Sequence, residues 1–360
     1  VKNYQKMPSL KPSLYYLSKR ELFIKNIFNR KINPLYLKCC TFFGTTLIDR
    51  TQTIDTGLNW NIIDKIPQEA TNLSFGEICK LRAEYIVGNT EGKLKLLWSG
   101  GIDSTVALIS ILQRLETLDQ IDRLEVLYSD ESIKEFPSFY QEICNRNLKK
   151  EQISSCIFDH IYPSDNIITG ENGDQLFGSD KLKVPVITKD AFKPYKEILY
   201  FLISRKLGTE KFSHQIIDYL APQIKKSSVP IKTLYDYLWW MNFSLKWQSV
   251  SMRLIHGLER TRNDLEKNTF HFFKDALFER WSVSNHHLKI KEDWKSYKYI
   301  AKEYIFHFHK NEEYFINKEK EQSLKEVLVR NKKPFAFLYP NSIKNKINTT
   351  MYKIQDALSR

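Results

Sequence analysis

The feature that most constrains this chain is a strand-like run, a double glycine and a helix in immediate succession. Residues 92–98 read GKLKLLW, residues 99–104 SGGIDS and residues 105–116 TVALISILQRLE. A short apolar run bounded by turn residues predicts a buried strand, and the apolar spacing beyond the glycines predicts a helix. The alternation then repeats. RLEVLYS (123–129) reads as a second strand, FPSFYQEICNRNLKK (136–150) as a second helix, and SSCIFDHI (154–161) as a short strand or connector. NIITG (166–170) reads as a strand that runs into GENGDQLFG (170–178). Strand and helix in alternation predict an α/β fold built on a parallel, doubly wound sheet.

Upstream, Ser74 with Glu77 three residues on predicts a capping box, opening a helix with Ile78, Leu81 and Ile86 on one face. Beyond about Lys183 the spacing turns helical, through YKEILYFLISRKL (195–207), SHQIIDYL (213–220) and IKTLYDYLWWMNFSLKWQSVSMRLI (231–255). The organisation expected is an atypical N-terminal extension over 1–75, an α/β core over 76–190 and a mainly helical C-terminal region over 191–360. The aromatic run YDYLWWMNFSLKW (235–247) has the composition of a base-stacking platform, but its helical spacing favours core packing. The charged stretch 318–333 reads as a solvated helix face.

The formal net charge of +13 suits nucleic acid, an anionic membrane surface or an anionic small substrate, and also simple drift toward Lys, Asn and Ile. Five Cys without a CxxC pair indicate neither a disulfide framework nor a zinc knuckle. The chain starts without a signal-peptide apolar region and has no membrane-length apolar run, so a cytoplasmic location without membrane attachment is expected.

Two segments carry chemistry. In WSGGIDST (98–105) the helix N-terminus offers free backbone N–H groups, and Gly100 and Gly101 let an anion approach the backbone. Ser99, Ser104 and Thr105 add hydroxyl donors. Asp103 would repel a phosphate unless it holds Mg²⁺. TGENGDQLFGSD (169–180) places Glu171 and Asp174 in a glycine-punctuated loop after a strand, at the sheet edge where open parallel sheets bind ligands. One carboxylate there could bind metal and the other take a proton. Taken singly, the first segment could be a capped turn and the second an exposed acidic turn.

SGGIDS resembles the pyrophosphate-binding loop (PP-loop) of the ATP pyrophosphatases, and GENGDQLFG resembles the asparagine-synthetase signature GEGADELFGG. Looser likeness continues in SMRLIHGLE (251–259), FFKD (272–275) and VRNKKPF (329–335). The resemblance implies an α/β PP-loop domain over 76–190, of adenine nucleotide alpha hydrolase-like type, that binds ATP and Mg²⁺. It implies an enzyme that adenylates a carboxylate, releases pyrophosphate and passes the acyl group to ammonia or another amine. By the same likeness Ser99, Gly100, Gly101 and Ser104 would cradle pyrophosphate, with Thr105 and Gly170 beside them. Asp103 and Asp174 would hold Mg²⁺, and Glu171 would deprotonate the amine. Lys332, with Lys333 as the alternative register, would stabilise phosphate charge. Tyr128 and Ser129, which end the second strand, would lie beside adenine or pack in the core.

The chain departs from the signature at Asn172-Gly173, Gln175 and Ser179-Asp180. With its first Cys at position 39 and the loop already at Ser99, no glutaminase domain is expected. Nitrogen would come from ammonia, a substrate amine or a separate amidotransferase. Two other readings stay open: a PP-loop enzyme modifying tRNA or another nucleic acid, and a non-catalytic ATP-binding scaffold.

Overall fold

The computed structural model describes residues 14–23, 32–153, 160–162, 164–256 and 267–320. Five strands form one sheet: β1 (Leu94–Leu97), β2 (Leu124–Tyr128), β3 (Lys149–Gln152), β4 (Asn166–Thr169) and β5 (Thr269–His271). Their order is β3-β2-β1-β4-β5, and every pairing is parallel. Successive strands progress one way from β1 to β3 and the other way through β4 and β5. The protein is therefore α/β, with a topology compatible with a doubly wound fold. The central strands are mainly apolar, and Leu94, Leu96, Val126, Ile167 and Ile168 are all fully buried, as expected of parallel strands covered on both faces.

Two strands differ from expectation. The second helix ends at Asn145 rather than running to residue 150, and KKEQ forms β3. This edge strand is polar and mostly exposed, so it carries no apolar alternation. Backbone pairing to β2, with Val126 opposite Lys150, holds it in place, and its charges guard the sheet edge. β5 lies inside the stretch expected to be helical; three residues are too few for a periodic signal. Of SSCIFDHI, residues 154–159 lie outside the described residues.

The helices that matter for the site are α1 (Phe75–Gly88), α2 (Ile102–Thr117), α3 (Pro137–Asn145), the single turn α4 (Gly173–Phe177), α5 (Leu234–Leu245), α6 (Trp247–His256), α7 (Ala276–Ser284), α8 (Tyr299–His309) and α9 (Glu312–Asn317). α1 opens with the expected reciprocal cap between Ser74 and Glu77. α5 is buried along all but one of its residues, so the aromatic run is core. Its polar atoms do local work. The Trp239 indole donates to Leu176 O, the Tyr235 hydroxyl to Phe177 O, and Asn242 Nδ2 to the carbonyls of Asp174 and Gly178. α5 therefore pins α4 from behind.

Residues before α1 pack into the same core, through Leu14, Leu17, Tyr36 and Phe42. Arg50 reaches across the chain to Glu279 on α7, Nη2 to Oε2 2.5 Å, with both side chains buried. Removing one partner of such a pair costs about 3–5 kcal/mol, because the other charge stays buried. Among the described residues no helix is long and apolar enough to cross a membrane.

Candidate functional site

β1 and β4 are neighbours in register, Leu97 opposite Thr169, so their following loops leave side by side at the carboxyl edge where the strand order reverses. After β1, Gly100 takes φ +76°, and a Cβ there would fall 2.4 Å from the Ser132 carbonyl oxygen. Only glycine meets both demands. Ser104 Oγ accepts from the Ser99 N–H at 3.1 Å and lies 3.0 Å from Ser99 Oγ, closing the turn under the start of α2. After β4, Gly170 lies against that same helix start: a Cβ would sit 2.6 Å from Ser104 N. Thr105, in contrast, is turned inward. Its hydroxyl donates to Gly101 O and accepts from the Trp98 indole, so it shapes the loop rather than facing its mouth. Ser129 caps the short helix that follows β2, and the Tyr128 hydroxyl accepts from Tyr140 at 3.1 Å; both residues are buried.

Asp103, in the first turn of α2, and Asp174, in α4, converge on one ammonium. Lys298 Nζ lies 2.5 Å from Asp103 Oδ2 and 2.6 Å from Asp174 Oδ1, and its side chain is 1% exposed. Lys320 Nζ adds a contact to Asp174 Oδ2 at 3.0 Å. Gly173 makes the convergence possible, since a Cβ there would stand 2.4 Å from the Asp103 carboxyl carbon. The preceding residue, Asn172, has φ +70°, a conformation Asn tolerates better than other side chains. Its amide is tied down by donation to Trp247 O and acceptance from Ser251 Oγ. The Asn172-Gly173 pair thus sets the loop's geometry.

The two carboxylates are electrostatically unequal. Burial and the neighbouring Asp174 push Asp103 up to about 6 against the pull of Lys298. Burial also raises Asp174, but Lys298 and Lys320 together outweigh it and hold this carboxyl below the usual range. Asp103 Oδ1 is buried and has no hydrogen-bond partner among the described residues. Two carboxylates with a spare oxygen fit a hard dication that takes its remaining ligands from phosphate and water. Among the described residues no group of three His, Cys, Asp or Glu is placed to hold a metal by itself.

Glu171 stands on the same loop. Arg253 on α6 binds its carboxylate, with Nη2 2.7 Å from Oε1 and 2.5 Å from Oε2. Behind it, the Glu171 N–H donates to Thr169 Oγ1, which lies 2.7 Å from His271 Nδ1. His271 Nε2 faces the Ser251 carbonyl at 2.7 Å, so Nε2 carries the proton and Nδ1 accepts from Thr169. Burial lowers His271 to about 3 and keeps the ring neutral. Beyond α4, Ser179 is buried, and Asp180 pairs with Lys246 at 3.1 Å. Gln175 is buried on α4, its Nε2 3.4 Å from Asn242 Oδ1.

The structure thus brings together Ser99, Gly100, Gly101, Asp103, Ser104, Gly170, Glu171 and Asp174. Lys332 and Lys333 lie outside the described residues. Three cations went unnoticed in the sequence: Arg253, Lys298 and Lys320. Lys318 joins them, 3.1 Å from Glu135 beside the first loop. Of the stretch 318–333, expected as a solvated face, the described residues Lys318 and Lys320 stand at the site. No local signal marks the lysines: Lys320 is flanked by Glu319 and Glu321, and Lys298 meets its two carboxylates only through the fold. Neither a family model nor a curated protein matches the chain.

Proposed function

We propose that this protein is an ATP-dependent amide-forming ligase of the asparagine-synthetase-like PP-loop type, active on a small-molecule carboxylate. The observation that carries the reading is the meeting of Asp103, Asp174, Lys298 and Lys320 at the reversal point of a parallel sheet, beside a glycine-lined helix N-terminus. Asp103 and Asp174 would hold Mg²⁺, which supplies charge neutralisation at the phosphates. The loop Ser99–Gly101 and the hydroxyl of Ser104 would receive the pyrophosphate portion of ATP. Lys298 and Lys320 are positioned to compensate phosphate charge as it develops. A carboxylate oxygen bonds to the α-phosphorus and pyrophosphate leaves. The amine nitrogen then bonds to the acyl carbon, AMP leaves, and Glu171 accepts the amine proton, its direction fixed by Arg253. Ammonia, a substrate amine or a separate amidotransferase would provide the nitrogen.

The test is pyrophosphate release from MgATP across a panel of carboxylates, with and without ammonium, comparing the native chain with Asp103→Ala. Release that needs one carboxylate and Asp103 is the expected result. The +13 charge favours a second reading, a PP-loop enzyme acting on RNA. Silence across the panel with ATP binding intact, together with salt-sensitive RNA binding, would replace the first reading by the second. Silence without ATP binding would sink the enzyme reading and leave a scaffold that does not depend on ATP.

A further inference from the structure

We infer that Lys298 is a tethered cation that occupies the dication's place between Asp103 and Asp174, so that a divalent metal binds together with nucleotide and not before it. The inference rests on the reading that these two carboxylates serve MgATP.

Lys298 is built as a fixed charge. Its backbone takes φ +61° and ψ +29°, a left-handed conformation that is unfavourable for a residue with a side chain. The surroundings impose it. The Lys298 N–H donates to Lys289 O at 2.9 Å, and its carbonyl accepts from the N–H groups of Ala301 and Lys302 at 3.0 Å each, opening α8. Tyr297, just before it, stacks on Trp294 with centroids 4.6 Å apart. Nζ lies 5.6 Å from the Phe177 ring centroid and 5.7 Å from that of Tyr297. A flexible four-carbon stem has thereby lost its freedom to leave, and its head is held against both carboxylates.

The charge count explains the consequence. Two carboxylates, Asp103 and Asp174, already face two ammoniums, Lys298 and Lys320. A lone dication arriving at Asp103 Oδ1 would meet a neutral cluster, compete with Lys298 for oxygens, and suffer like-charge repulsion in a poorly hydrated place. A triphosphate reverses the balance. It gives Lys298 and Lys320 new anionic partners and frees carboxylate oxygens for the metal. By linkage, nucleotide and dication must then raise each other's affinity by the same factor.

The experiment measures Mn²⁺ binding to the full chain by electron paramagnetic resonance, with no turnover involved. Without nucleotide, the native chain should bind Mn²⁺ at least about tenfold more weakly than Lys298→Met. Lys298→Arg should stay weak, and adding Asp103→Asn to Lys298→Met should abolish the gained site. Adding the non-hydrolysable β,γ-imido analogue of ATP to the native chain should tighten Mn²⁺ at least about tenfold. Equal Mn²⁺ affinity of the native chain with and without an analogue that is itself bound overturns the inference, and that arm needs no variant to fold. No gain in a folded Lys298→Met, checked by cooperative thermal melting, overturns it as well. If Lys298→Met gains Mn²⁺ while the native chain never binds the analogue, the MgATP reading falls and the occluding role of Lys298 stands.

Discussion

The site has two walls of opposite charge, and they are made differently. The acidic wall comes from two loops that leave adjacent strands, and Asp103, Glu171 and Asp174 each sit within a few residues of a strand end. The basic wall comes from far along the chain: Arg253 on α6, Lys298 at the start of α8, and Lys320 just beyond α9. Local backbone rules fix the acids, because glycines at tight approaches and a helix N-terminus leave few alternatives. The bases are fixed only by tertiary packing. Nothing in the fifteen-residue neighbourhood of a lysine tells which carboxylate it will meet (a window typical of periodicity arguments). The difference predicts that damage to the acidic wall removes the chemistry, whereas damage to the basic wall weakens it in steps.

The largest effect is therefore expected at Asp103. Asp103→Ala deletes one of the two carboxylates beside the Ser99–Gly101 loop and, on the proposed reading, should lower carboxylate-dependent pyrophosphate release by about 10³-fold or more. Quenched-flow measurement of pyrophosphate checks it. A loss of only a few-fold would show that Asp174 carries the cation alone and that the acidic wall is not a unit.

Lys320→Met should come next. On the proposed reading Lys320 would compensate only one of several charges, so kcat should fall by about 10²-fold with little change in the KM for the carboxylate. Lys332→Met provides the comparison, because Lys332 was the expectation from the sequence. An equal fall at Lys332 would extend the basic wall by a third lysine; a negligible one would leave the role with Lys298 and Lys320.

Gly173→Ala probes the contact between the walls' supports. The new Cβ would land 2.4 Å from the Asp103 carboxyl carbon, so α4 or α2 must shift. Overpacking of this kind costs about 1–3 kcal/mol. Chemical denaturation should register the loss, and affinity for MgATP should drop with it. Gly88→Ala is the control: it sits at the end of α1 with nothing within 4 Å of the added Cβ, and should leave stability unchanged or slightly higher.

Legibility in the sequence followed the same division. The apolar runs of β1, β2 and β4 and the capping box at Ser74 were plain, because burial on both faces and reciprocal capping leave local signatures. Gly100 was legible only as a position open to an anion; its close approach to Ser132, like those of Gly170 to Ser104 and Gly173 to Asp103, is a tertiary contact. β3 was invisible because an edge strand of Lys, Lys, Glu and Gln is held by backbone pairing alone. β5 was invisible because three residues have no period. Thr105 looked like a phosphate donor by its position beside Ser104, but one residue further along α2 turns its hydroxyl into the core, toward Trp98 and Gly101. The lysines were illegible for the reason already given: a buried ion pair 124 positions apart, such as Lys298 with Asp174, has no local trace.

The smallest and most diagnostic effect concerns what stands behind the acidic wall. His271 props Thr169, and Thr169 holds the backbone of Glu171, so this loop depends on a neutral buried ring. In the unfolded chain a histidine titrates near 6.5, whereas burial holds His271 near 3. Below pH 6.5 the unfolded chain therefore binds a proton that the folded chain refuses, and stability falls as pH falls. At pH 5 the single group costs about 2 kcal/mol relative to pH 7. Burial depresses His286 as well, to about 4, which adds a second share to the acid sensitivity. His271→Gln should lower stability at pH 7 through lost packing yet flatten the decline between pH 7 and 5 by about one proton's worth. Denaturant midpoints at the two pH values measure both terms. An undiminished slope in the variant would mean that the ring is not held neutral, and that the Glu171 loop is supported by Arg253 and the α6 contacts of Asn172 alone.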